Sequence, residues 1–169
     1  MAKNKNYQYY VEGEDEKCII NTLKAELGCI VPGKVEKFNV VQNEFTVGRL
    51  RTLKMGTVVV LVFDTDTDNS IILQKNITFF KKQSAVKEVV CIPQIYSLED
   101  ELLRSCQIKK IEELTKSKSK KDFKGDLIKC CNLAERLKKC NFSIDKMWCG
   151  IPQNSFSEIP NDASKIKLK

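Results

Sequence analysis

The chain contains no histidine. No imidazole is present to act as general base, so Ser-His and Cys-His nucleophile pairs are excluded. Eight cysteines occur, at positions 18, 29, 91, 106, 130, 131, 140 and 149, but no two of them form a CxxC pair. Without histidine a zinc site needs four thiolates, and this spacing does not offer them. Reduced, mostly buried thiols are expected instead, with Cys91 in a strand pattern and Cys130, Cys131 and Cys140 in a helical one. No apolar run approaches the ~18 residues of a membrane span. The opening Met1-Ala2-Lys3-Asn4-Lys5-Asn6 is too polar for a signal peptide, which leads to the expectation of a cytoplasmic protein with no membrane partner. No GxxxxGK[ST] phosphate-binding loop and no internal repeat is found. What remains for chemistry is carboxylates, lysines and metal.

The most informative stretch is Val58-Val59-Val60-Leu61-Val62-Phe63-Asp64-Thr65-Asp66-Thr67-Asp68. Its unbroken apolar, β-branched run reads as a strand buried on both faces, the signature of a central strand in a parallel sheet. Three carboxylates follow at a spacing of two. Open α/β sheets bind ligands just beyond the carboxyl ends of their strands, where these aspartates fall. Crowded carboxylates repel one another and a divalent cation removes the repulsion; Mg2+ or Mn2+ suits such hard oxygen donors. A solvated, Asp-rich turn is the alternative reading of the same residues.

At 169 residues the chain fits one domain with a real core. Residues 7–11 read as a strand closed by Glu12-Gly13-Glu14-Asp15. Gly13 is read as permitting a tight turn, which presents Glu12 at the same edge as Asp64. A helix follows over about 15–27, with Ile19, Ile20, Leu23 and Leu27 on one face and Gly28 at its C-terminal stop. Glu16 falls on its first turn, facing the same edge, while Glu14 and Asp15 read as helix N-terminal acids favoured by the dipole. A second strand spans 34–41 and a short helix falls within 43–56. After the central strand, 69–82 reads as a helix and 85–92 as a fourth strand stopped by Pro93. Ser97 is placed as an N-cap with Asp100 three residues on, so a helix starting there brings Glu99 and Asp100 to the acidic edge. The alternation predicts an α/β fold, a mainly parallel four-stranded Rossmann-like sheet with helices on both faces.

Charge divides the chain. Residues 1–106 carry 14 basic and 14 acidic side chains, whereas 107–169 carry 15 basic and 8 acidic, so the whole net charge of +7 lies in the final third. It concentrates in Lys116, Lys118, Lys120, Lys121 and Lys124. An acidic edge in front of a basic segment points to a polyanionic partner, nucleic acid first; a solvated lysine loop is the bland alternative. The segment 107–150 is expected as a basic helical extension on the core, with one helix over about 122–140. Residues 151–169 read as an irregular tail ending in a frayed basic run.

Val11-Glu12-Gly13-Glu14-Asp15 after one strand, followed by Val62-Phe63-Asp64-Thr65-Asp66-Thr67-Asp68 after a later one, resembles the Toprim domain over residues 7–106. The resemblance implies that Glu12, Asp64 and Asp66 bind Mg2+ or Mn2+ and that Asp68 takes the third acidic position. The nuclease-like OLD branch is the more similar one: Glu16 matches its acid four residues after the motif glutamate, and Ser97-Leu98-Glu99-Asp100 its acidic helix start. That branch implies metal ligands at Glu12, Glu16, Asp64, Asp66, Asp68 and Glu99, serving one or two ions. It also implies a downstream catalytic lysine, for which Lys124 is the candidate. OLD nucleases are fused to an ATPase, which this sequence lacks.

An EF-hand beginning at Asp64 fails, because it needs glycine at Asn69 and glutamate at Lys75. A DxD phosphatase with Asp64 as nucleophile stays open, although such chains place that strand first and two precede it here. A non-catalytic nucleic-acid-binding module also stays open. The expectation carried forward is a metal-dependent nuclease acting on DNA or RNA through Glu12, Asp64, Asp66 and Lys124. Lys116, Lys118, Lys120 and Lys121 would hold the strand. By analogy with the family, a separate ATPase or recognition subunit and a role in phage defence are implied.

Overall fold

The computed structural model describes residues 5–168. Strands β1 (Asn6–Val11), β2 (Lys34–Lys37), β3 (Thr57–Asp64) and β4 (Val86–Gln94) form one parallel sheet in the order β2-β1-β3-β4. The chain leaves β1 toward β2 on one side, then returns to place β3 and β4 on the other. The crevice between the ends of β1 and β3 is therefore the topological switch point, where open α/β sheets bind ligands. All eight residues of β3 are buried, as its two-faced apolar run requires.

Helices cover both faces: α1 (Glu14–Asn21), α2 (Val47–Leu50), α3 (Ile71–Lys81), α4 (Leu98–Ser105), α5 (Glu112–Thr115), α6 (Phe123–Lys129) and α7 (Leu133–Lys139). Alternation along the strands divides the core in two. Tyr9, Val11, Val58, Val60, Val62, Val90 and Ile92 face α1, α4, α6 and α7. Tyr10, Val59, Leu61, Phe63, Val89 and Cys91 face α3 and the 38–50 connection. The α/β class and the parallel four-stranded sheet agree with the sequence reading.

Several boundaries differ, each for a local reason. β2 ends at Lys37 and not at Val41, because the Asn39 side chain accepts from the backbone N–H groups of Val41 and Gln42 and turns the chain. β4 runs through Pro93 to Gln94. It is the outer strand, and Cys91, two residues earlier, sends its N–H outward to Asp162 Oδ2 at 3.0 Å. Pro93 shares that outward orientation, so its missing N–H removes no ladder bond to β3. Past Asn21 the first helix widens into a π-type turn over Thr22–Glu26, and Gly28 closes it at φ +61°.

The helix expected over 122–140 is two helices. Cys130 is extended, with ψ 116°, and the break at 130–132 lets Leu127, Leu133 and Leu137 all reach the core. Cys130 and Cys131 lie in this break and not in a helix. The tail is irregular, as expected, but through Leu168 it is packed and not frayed; Lys169 lies outside the described residues. Phe156, Ile159, Ala163 and Ile166 are buried, Lys165 pairs with Glu88 at 2.7 Å, and Lys167 bridges to Ile30. Residues from 7–106, 107–150 and 151–169 share one continuous core cluster. Among the described residues no helix is long and apolar enough to cross a membrane.

Candidate metal centre

Glu12 follows the last residue of β1 and Asp64 ends β3, so the sheet itself delivers both to the switch point. Glu12 Oε1 accepts the Asp64 backbone N–H at 3.1 Å, which ties the two strand ends together. Glu16 arrives from the first turn of α1. One carboxylate oxygen from each of Glu12, Glu16 and Asp64 lies within 4.8 Å of the others. Asp64 and Glu16 are buried and Glu12 is half-buried.

Gly13 separates Glu12 from the helix. Its backbone is extended (φ −146°), so the expected need for an unusual turn is not met. Space is the constraint: a Cβ there would lie 2.9 Å from Asp15 Oδ1 and 3.2 Å from Glu16 Oε2.

Burial dominates the electrostatics. It pushes the Glu12 carboxyl up to about 7, aided by the charges of Asp66 and Asp15 and opposed by the Asp64 N–H. Burial and the neighbouring Asp15 raise Glu16 to about 9. Burial and the Glu12 charge raise Asp64 to about 8, against the stabilising donation from Gln94 Nε2 to Asp64 Oδ1 at 2.6 Å. Three acids held this close in low dielectric retain protons unless a cation replaces them.

The remaining candidates are placed unequally. Glu99, in the first turn of α4, is largely buried and lies 3.6 Å from Lys124 Nζ. Its neighbour Asp100 is absorbed by the cap, accepting from Ser97 Oγ at 2.7 Å. Lys124, on the first turn of α6, also lies 3.7 Å from Asp15 Oδ2. Burial opposes the Lys124 charge, but Glu99, Asp15, Glu16 and Asp64 outweigh it and raise its pKa, so it is a cation and not a base. Asp66 is exposed on the rim, near enough for its charge to raise both Glu12 and Asp64. Asp68 is exposed in the following turn; neither aspartate, nor Glu99, belongs to the close trio.

Two residues of the site were not read from the sequence. Asp15 is buried and paired with Lys124, whereas Glu14, with which it was grouped, pairs with Lys37 at the surface. Gln94 carries no charge signature, and its position became visible only when β4 proved to run past Pro93.

Lys116, Lys118, Lys120 and Lys121 are exposed. Lys116 and Lys118 line an open hollow of about 500 Å³ together with Lys129 and Arg136 on α6 and α7. Lys129 lies on the same short helix as Lys124, so hollow and acidic trio are joined through α6.

The donor set fits a hard divalent cation. All three groups offer oxygen, and Glu16 Oε2 is buried without a hydrogen-bond partner. The chain matches no family model, no curated protein and no solved structure.

Proposed function

We propose that this chain is a divalent-metal-dependent nuclease that hydrolyses phosphodiester bonds in DNA or RNA. The observation that carries the reading is the convergence of Glu12, Glu16 and Asp64 within 4.8 Å at the switch point, with Lys124 held over the same edge. The resemblance of the two acidic motifs to Toprim nucleases supports it independently of the geometry.

Glu12, Glu16 and Asp64 would hold Mg2+ or Mn2+, with Asp66 and Glu99, whose charges reach Asp64, as the candidates for completing the shell or a second position. A bound divalent cation supplies an acidified water and polarises a phosphoryl oxygen. Glu12 does double duty, since its hydrogen bond to the Asp64 N–H fixes the spacing of the two strand ends. Lys124 stays protonated and offsets charge that builds on the phosphate in the transition state. Lys116 and Lys118 contact flanking phosphates and position the strand. A separate ATPase or recognition subunit and a place in phage defence belong to this proposal on the strength of the resemblance alone.

The test is cleavage of labelled single-stranded DNA, duplex DNA and tRNA with Mg2+ or Mn2+, for the parent and for Glu12→Gln and Asp64→Asn. Metal-dependent cleavage lost in both variants is the expected result. A parent that cuts none of the substrates yet binds them would instead make the chain a binding module. Phosphate release from a small phosphomonoester, with a trapped aspartyl-phosphate at Asp64, would make it a phosphatase.

A further inference from the structure

We propose that Gln94 and Trp148 are positioning residues that aim the Asp64 carboxylate at the metal, an inference that rests on the metal-site reading above. Gln94, the last residue of β4, is wholly buried beside Asp64. Its Nε2 donates to Asp64 Oδ1 at 2.6 Å and its Oε1 accepts from the Trp148 indole N–H at 3.3 Å. The direction of this relay is chemically determined. An indole N–H only donates, so the Gln94 oxygen must face it and the Gln94 amide N–H must face Asp64. The donation to Oδ1 fixes the rotation of the Asp64 carboxylate, and with it the oxygen that Asp64 contributes to the trio.

Trp148 is itself immobilised from three sides. Its backbone N–H donates to Glu101 Oε2 at 2.8 Å, and the other oxygen of Glu101 accepts the Ile95 N–H at 2.9 Å. Arg104 balances the fully buried Glu101 at 2.8 Å. The Trp148 and Gly150 carbonyls both accept from Asn161 Nδ2, at 2.9 and 2.7 Å. Gly150 approaches so closely that a Cβ there would lie 2.4 Å from Ile95 Cγ1. A segment some fifty residues beyond β4 is thus built onto the strand end that carries Gln94. Metal ligands usually have such outer partners, and losing one typically weakens metal affinity about 10–100-fold.

Trp148 is the only tryptophan, so its indole N–H gives a single resolved signal in a ¹⁵N-labelled protein. Titrating Mg2+ into the parent is expected to shift that signal saturably, and the shift should vanish in Gln94→Met, which keeps the side-chain length but not the amide. Mn2+ affinity, read from the free-ion electron paramagnetic resonance signal, should fall about tenfold in Trp148→Phe and at least as far in Gln94→Met. Phe156→Leu, a core change on the other face of the sheet, serves as a destabilised control and should retain parental affinity. Parental Mn2+ affinity in Gln94→Met overturns the proposal, and so does equal loss in Phe156→Leu, which would reduce the relay to a packing role. A parent that binds no Mn2+ sinks the metal reading itself, a failure visible before any variant is made.

Discussion

The site depends on side chains of unequal legibility. Glu12 and Asp64 could be read from sequence because each ends an apolar strand, and the strand pattern fixes where its last residue points. Asp15 and Gln94 could not. An acid at a helix start has an ordinary dipole role, and a neutral amide leaves no charge pattern to follow. Removing the charge at Glu12 or Asp64 should abolish cleavage while leaving the metal-free melting temperature unchanged or higher, because a buried, repelling group is neutralised. A melting temperature that collapses in Glu12→Ala but not in Glu12→Gln would mean that Glu12 is first a structural acceptor for the Asp64 N–H. Lys124→Ala should lower kcat about 10²-fold, as loss of a transition-state charge partner does. KM should change less, and single-turnover kinetics would show the split.

At the level of elements, α6 links the acidic site to the basic hollow, and under the proposed function it joins chemistry to binding. Its first turn holds Lys124 between Asp15 and Glu99, and its last carries Lys129 into the basic hollow. The sequence showed the helical periodicity here but not the break at 130–132, because Cys131 and Leu133 both suit an apolar face and only packing selects Leu133. Replacing Lys116, Lys118 and Lys129 by Gln, in a Glu12→Gln background that cannot cut, should flatten the salt dependence of nucleic-acid binding. Each phosphate contact is worth about 0.7–0.9 of log–log slope, so the triple change removes roughly two to three units. An unaltered slope would make the hollow a bystander. Gly13→Ala probes the other end of the site: it forces the Asp15 and Glu16 carboxylates to move and should weaken Mn2+ binding with little effect on the distant hollow.

For the whole molecule the acid trio couples stability to pH. The folded chain holds protons on Glu12, Asp64 and Glu16 up to about 7, 8 and 9, well above the ordinary values of 4.5, 3.8 and 4.5. The unfolded chain therefore binds fewer protons across this window, so the trio's contribution is full below about pH 4 and is lost as pH rises through 7 to 9. Melting curves in EDTA should move down from pH 5.5 to 8.5, and saturating Mg2+ should reverse most of the loss. A metal-free protein equally stable at both pH values would contradict the raised carboxyls. The architecture was largely legible, since period-two strands and apolar helix faces declare themselves. The tail was not, because its short 3₁₀ turns carry no periodicity and Phe156, Ile159 and Ile166 look like isolated surface residues until a partner surface exists.

That tail also sets a timetable. Asp162 closes the outer edge of β4 through both its N–H and its carboxylate, and the Ile166 carbonyl accepts from Val31, far back in the chain. During synthesis the last strand edge stays open until these residues leave the ribosome. Trp148, and with it the support for Asp64, is locked by Asn161 only at the same late moment. Chains truncated before residue 162 should be cut readily by protease and bind no Mn2+, and chains that include residues 162–168 should resist and bind. Such an order leaves the carboxylate cluster unsupported until residues 161–166 have docked on the core.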